Sequence, residues 1–118
     1  MLTNTKDTEL SSIIAIIATD APFLPHQLKR LARRASFGIG RTGGIATHGS
    51  GDLFLAFSTA ASDLGGGAMR TVRFVPDEDI DPFFEAVVQA TEEAILNSMV
   101  ANEDMTGRDG NFVPAVAA

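Results

Sequence analysis

The sequence predicts a mixed fold in which a sheet is covered by helices, and three observations carry that expectation. Ser12 to Thr19 is an isoleucine-rich run, short and β-branched, of the kind that forms a strand buried on both faces. Between Pro82 and Val100 apolar residues recur at three- and four-residue spacing, the period of a helix packed on one side. The order of elements along the chain is strand, helix, strand, strand, helix, an order that layers helices on a sheet.

Residues 1–11 read as a leader or processing segment, and residues 12–118 as the folded portion. After the first strand, Asp20 to Pro25 is a loop, because Pro22 and Pro25 fix the backbone and remove donors. A helix is predicted from about His26 to Phe37, with Leu28, Leu31, Ala32 and Ala35 on one face. Gly38, Gly40, Gly43 and Gly44 are expected to end it and form a permissive loop. A second strand is predicted over Asp52 to Thr59, a turn at Gly65 to Gly67 and a third strand over Met69 to Val75. In the last helix Asp81 suits the N-cap and Pro82 the first helical position. Its core stripe is Phe84, Val87, Val88, Thr91, Ile95 and Met99, with Thr91 the one polar member. Thr106 to Asn111 reads as a turn, followed by a short edge strand at Phe112 and Val113. Two helices leave one sheet face uncovered, and that face or the sheet edges are expected to meet another polypeptide.

Composition narrows the function. At 118 residues the chain is one domain at most, with 45% apolar and 20% charged residues, as in a globular protein. A net charge of −6 argues against a nucleic-acid or anionic-membrane partner. The absence of cysteine excludes disulfides and thiol chemistry. The longest purely apolar run, Ile13 to Ala18, is far too short to span a bilayer, and the basic-then-apolar order of a signal peptide is missing. Cytoplasm is the default expectation.

Several residue sets invite a chemical reading. His26, His48, Asp20 and Asp52 match no compact metal-ligand spacing and read as ordinary loop residues. Gly38 to Gly43 spells GxGxxG, yet it follows a helix where a dinucleotide fingerprint must follow a strand and open one. Lys29, Arg30, Arg33, Arg34 and Arg41 concentrate five of nine basic residues, which an acidic chain without Trp or Tyr more simply uses as a solvated or subunit-facing surface. His48, Ser50 and Asp52 would point the same way on an extended strand, a side-by-side arrangement unsuited to a triad relay. Ser50 and Asp52 form either a hydrogen-bonding pair reaching a nearby active centre or a loop-to-strand cap. Ser12, at the first position of a core strand, stands where an N-terminal-nucleophile hydrolase keeps its hydroxyl. From local sequence alone it reads more simply as a polar boundary residue.

Longer segments alter that balance. Ser12 to Pro22, Leu24 to Ala35, Gly38 to Gly43, Gly49 to Thr59, Ala90 to Asn97 and Thr106 to Gly110 together resemble the β-chain of the L-aminopeptidase D-amidase/D-esterase family, which includes the β-peptidyl aminopeptidases. The resemblance runs from Ser12 to about Val113. It implies an α+β fold, an αββα sandwich of the N-terminal-nucleophile type, of which this chain would be the β-chain half. It also implies that one precursor cuts itself into α and β chains and that Ser12 becomes the nucleophilic N-terminus. Ser50 and Asp52 correspond to the supporting serine and acid, the latter a glutamate in some members. Ser11 departs from the small residue usual before the nucleophile. Residues 1–11 stand where the family has a much larger α-chain, which supplies much of the pocket and part of the oxyanion-stabilising apparatus.

The expectation is a serine aminopeptidase or amidase β-chain that hydrolyses short peptides, amides or esters, with Ser12, Ser50 and Asp52 as its site. It needs no metal or organic cofactor. An α-chain is its expected partner, in an oligomer of αβ units, without nucleic acid or membrane. The alternative is a non-catalytic truncated homologue that needs or has lost its α-chain.

Overall fold

A computed structural model describes residues 12–60 and 66–116. Its elements are β1 (Ile14–Thr19), α1 (Pro25–Arg41), β2 (Leu53–Ser58), α2 (Asp81–Val100) and a hairpin of β3 (Met105–Thr106) and β4 (Phe112–Val113). Strands β1 and β2 pair in parallel, with Ile14 opposite Leu53 and Thr19 opposite Ser58. Parallel pairing needs a crossover, and α1 provides it.

Side chains alternate across this two-stranded sheet. Ala15, Ile17 and Thr19 of β1 and Phe54, Ala56 and Ser58 of β2 are partly covered, with Ile17 and Ala56 against a core of Phe23, Leu31, Ile80 and Val87. Phe23 meets Phe83 edge to face at 4.9 Å. The other face, with Ile14, Ile16, Leu53, Leu55 and Phe57, is bare; Ile14 is 69% and Ile16 61% exposed. The expected burial of β1 on both faces is therefore not met in this chain, because one layer of helices covers one side only.

Helix α1 runs four residues beyond the predicted end. Gly38 and Gly40 lie inside it, and the stop comes at Thr42. The stop is a Schellman motif: Gly43, at φ +98°, donates to the Gly40 carbonyl and Gly44 donates to that of Ile39, each at 3.1 Å. Gly38 continues because α1 crosses α2 there and only a hydrogen fits; a Cβ would stand 2.6 Å from Thr91 Cβ and 2.7 Å from the Val88 carbonyl oxygen. Thr91 is buried at the crossing and donates from Oγ1 to the Val87 carbonyl at 2.7 Å, so its hydroxyl is satisfied within its own helix. Asp81 is the first residue of α2 rather than its cap, and it makes no side-chain cap bond.

Met69 to Val75 is not a strand: one backbone bond, Val75 N–H to the Pro22 carbonyl at 2.9 Å, ties its end to the body. A strand needs a partner along its length, and among the described residues this segment has none. The predicted turn at Gly65 lies outside the described residues in part, and residues 1–11 lie outside them wholly. Thr106 to Asn111 contains the expected turn, with Asp109 and Gly110 both at positive φ and the Asn111 N–H on the Arg108 carbonyl, and the turn closes a β3–β4 hairpin that the sequence did not predict. No helix among the described residues is long and apolar enough to cross a membrane.

Gln27 is a polar residue outside the predicted apolar stripe of α1. It is 1% exposed. Its Oε1 accepts from Leu24 N–H at 2.9 Å, and its Nε2 donates to the Val75 carbonyl at 2.8 Å and to Asp77 Oδ1 at 2.9 Å. One amide thus clips the start of α1 to the segment that leads into α2. Gln27→Leu leaves those partners unsatisfied, and urea denaturation is expected to report a loss of about 2–4 kcal/mol. The basic stretch is also largely occupied by packing. Arg34 lies 3.7 Å from the centroid of the Phe84 ring, Arg30 pairs with Asp77 at 3.4 Å and Arg41 with Glu92 at 3.1 Å.

Candidate active site

The parallel register determines what meets Ser12. Ile14 stands opposite Leu53, and Leu53 N–H donates to the Ile13 carbonyl at 2.9 Å. Two residues upstream on each strand the same offset brings Ser12 to Gly51, and Gly51 N–H donates to Ser12 Oγ at 3.1 Å. Ser12 is exposed and precedes the first paired residue of β1, so its hydroxyl sits at the mouth of the strand. Gly51 is flanked by Ser50 and Asp52, both half-buried, and Ser50 Oγ donates to Asp52 Oδ1 at 2.5 Å. That length is in the range of a hydroxyl bonded to a carboxylate. Ser50 and Asp52 are thus hydrogen-bonded to each other where the loop enters β2.

His48 does not join them. It lies in a turn whose end is marked by Ser50 N–H on the Thr47 carbonyl at 2.9 Å, so the segment is not extended there. His26 is exposed in the first turn of α1.

Ser12, Ser50 and Asp52 line one cavity of about 290 Å³ with Ile13, Ile39 and the loop from Gly43 to Thr47. The Schellman stop of α1 turns this loop across the end of the sheet. Ala46 within it has φ +50°, a left-handed conformation that costs a residue with a Cβ about 1–2 kcal/mol. The wall is mostly apolar, and Asp52 is its one carboxylate. Chemically, the cleft presents an exposed hydroxyl held by a backbone donor, a second hydroxyl bonded to a carboxylate, and apolar walls.

A family model described as peptidase family S58 matches residues 1–113. The chain belongs to peptidase family S58. Among curated relatives, it is 52% identical over 101 residues to β-peptidyl aminopeptidase BapA of Sphingosinicella microcystinivorans, a match covering 84% of this chain and 26% of that protein. Among solved structures, the L-aminopeptidase D-Ala-esterase/amidase of Ochrobactrum anthropi is 44% identical with a TM-score of 0.75, covering 86% of this chain and 30% of that one. That protein is described as a prototype of the serine aminopeptidases and a variant of the Ntn-hydrolase fold. A β-aminopeptidase of a Burkholderia species is 40% identical with a TM-score of 0.74, covering 86% of this chain and 31% of that one. The chain therefore spans between a quarter and a third of the length of these relatives, and the α+β, Ntn-type architecture expected of it is the one it shares with them. The family resemblance expected from the sequence is thereby established.

Proposed function

We propose that this chain is the β-chain of a serine aminopeptidase or amidase and that Ser12 is its nucleophile. The observation that carries the reading is the convergence of Ser12 Oγ, Gly51 N–H and the Ser50–Asp52 pair at one end of a parallel strand pair, in a member of a peptidase family. Processing begins when Ser12 Oγ attacks the carbonyl carbon of Ser11. The C–N bond to Ser12 breaks, an ester to Oγ replaces it, and water cleaves that ester, leaving a carboxylate on Ser11 and an α-amino group on Ser12.

In turnover the freed amine takes the Oγ proton while Oγ bonds to the carbonyl carbon of a short peptide, amide or ester. The tetrahedral intermediate collapses, the substrate C–N bond (C–O in an ester) breaks, and the departing amine or alcohol receives the proton. Water then attacks the acyl ester, giving its proton to the Ser12 amine; the C–Oγ bond breaks and Oγ is reprotonated. Ser50 polarises the nucleophile's surroundings, and Asp52 holds Ser50 in place through the bond between them. A family α-chain completes the pocket. The bare sheet face of Ile14, Ile16, Leu53, Leu55 and Phe57 supports a partner polypeptide, because such a contiguous apolar face is costly in water. Assembly of several αβ units belongs to the same proposal.

The test is to produce the full chain together with a family α-chain and follow hydrolysis of short peptide amides. Ser50→Ala and Asp52→Asn are each expected to lower kcat by about 10- to 100-fold with a smaller change in KM. The double variant should fall little further, since the two side chains act as a unit. Fully additive losses would place Ser50 and Asp52 in separate roles. Wild-type turnover in all three would remove them from the site.

A further inference from the structure

We infer that the backbone N–H of Gly51 is a built-in donor to the nucleophile, fixing Ser12 Oγ and stabilising the charge it gains during attack. The inference rests on the assignment of Ser12 as nucleophile and adds a group that the Ser12, Ser50, Asp52 set leaves out. Along β2 the strand-pairing donors recur at every second residue. Leu53 N–H meets a backbone carbonyl, that of Ile13, at 2.9 Å. The next such donor upstream is Gly51 N–H, and it meets a side chain, Ser12 Oγ, at 3.1 Å. The strand pair therefore extends its hydrogen-bonding pattern onto the hydroxyl.

A glycine at this position makes the approach possible. A Cβ on residue 51 would stand 3.0 Å from Ser12 Oγ and 3.8 Å from Ser12 Cβ, pressing directly on the hydroxyl. The flanking residues reinforce the placement, because Ser50 and Asp52 are tied together across Gly51 at 2.5 Å and hold the peptide in place.

When Oγ passes its proton to the Ser12 amine and attacks, negative charge grows on Oγ before moving to the carbonyl oxygen. A donor bonds more strongly to an anionic oxygen than to a neutral hydroxyl. Because the Gly51 N–H is already in place, it stabilises that charge without rearrangement. An interaction that strengthens on the way to the transition state raises kcat rather than lowering KM.

Replacing the amide between Ser50 and Gly51 by an ester, with glycolic acid in place of Gly51, removes the N–H and adds no bulk. In the full chain assembled with a family α-chain, this change is expected to lower kcat by about 10- to 100-fold and leave KM within about twofold. Gly51→Ala, which keeps the donor and crowds Oγ, should also lower kcat. An ester variant with wild-type kcat beside an impaired Gly51→Ala variant would reduce Gly51 to a spatial role and overturn the inference. Ser12→Ala is run in parallel. If it is inactive while the ester variant is fully active, the donor role alone fails; if Ser12→Ala is active, the nucleophile assignment fails with it. Should the ester chain not assemble, the amide proton resonance of Gly51 in the full chain decides. An upfield move on Ser12→Ala supports the bond, and an unchanged resonance overturns it.

Discussion

Ser12→Ala is expected to leave the chain uncut and to lower kcat for peptide-amide hydrolysis by on the order of 10⁴-fold or more, the scale seen when a serine nucleophile is deleted. The size follows from how many tasks meet at one residue. In the proposed mechanism its Oγ forms the covalent bond, its freed amine carries the proton, and its position at the mouth of β1 brings both to the cavity. Removing the hydroxyl should abolish the proposed self-cleavage as well, so that the amine is not released. Ser12→Thr or Ser12→Cys keeps a nucleophile and should retain part of the processing. On the proposed mechanism the pH dependence of the processed enzyme should follow the amine. An α-amino group has an ordinary pKa near ~8 and acts as a base only when neutral, so kcat/KM should rise with pH through that region and fall as the amine protonates below it. A profile flat from pH 6 to pH 9 would mean that another group takes the proton.

The second large effect is on stability. Gly38→Ala forces a Cβ within 2.6 Å of Thr91 Cβ and 2.7 Å of the Val88 carbonyl oxygen. The first neighbour is a β-branched side chain on a packed helix and the second is backbone, so neither yields easily. Overpacking of this kind costs roughly 1–3 kcal/mol, against a gain of about 1 kcal/mol in helix propensity. Gly38→Val adds two methyls to the same crossing and is expected to cost at least about 3 kcal/mol, lowering the thermal midpoint by more than about 10 °C. Gly40, two residues along the same helix, faces open space. Gly40→Ala should therefore stabilise the chain by about 0.5–1 kcal/mol. Opposite signs for Gly38→Ala and Gly40→Ala in one calorimetric series would establish the crossing, and equal signs would refute it.

Much of this arrangement is legible in the sequence because it follows from local pattern. The isoleucine run, the stripe on α2 and the Asp-Gly turn at Asp109 and Gly110 each carry their own period or backbone preference. The proposed site residues Ser12, Ser50 and Asp52 emerge from the long motif resemblance, since no local rule links positions 12 and 50. Their meeting depends on the β1–β2 register, a non-local choice. The same reason explains the misses. Gly38 and Gly40 look alike as helix breakers, yet Gly38 serves a tertiary crossing and the helix continues through both to a stop that uses Gly43 and Gly44. Gln27 stands four residues before Leu31 on the buried side of α1, but its polarity hides its place until Val75 and Asp77 are seen to fold onto it. Met69 to Val75 has the composition of a strand and no neighbour to pair with among the described residues. Gly51 offers no side chain to read, and its contribution lies in a backbone N–H.

Rapid quenching of the processed enzyme during turnover of an activated ester, followed by peptide mapping, asks directly where the acyl group sits. The expected result is an acyl adduct on Oγ of Ser12, on a polypeptide whose first residue is Ser12. An adduct on any other residue, or full turnover by a chain in which Ser11 and Ser12 remain joined, would contradict it.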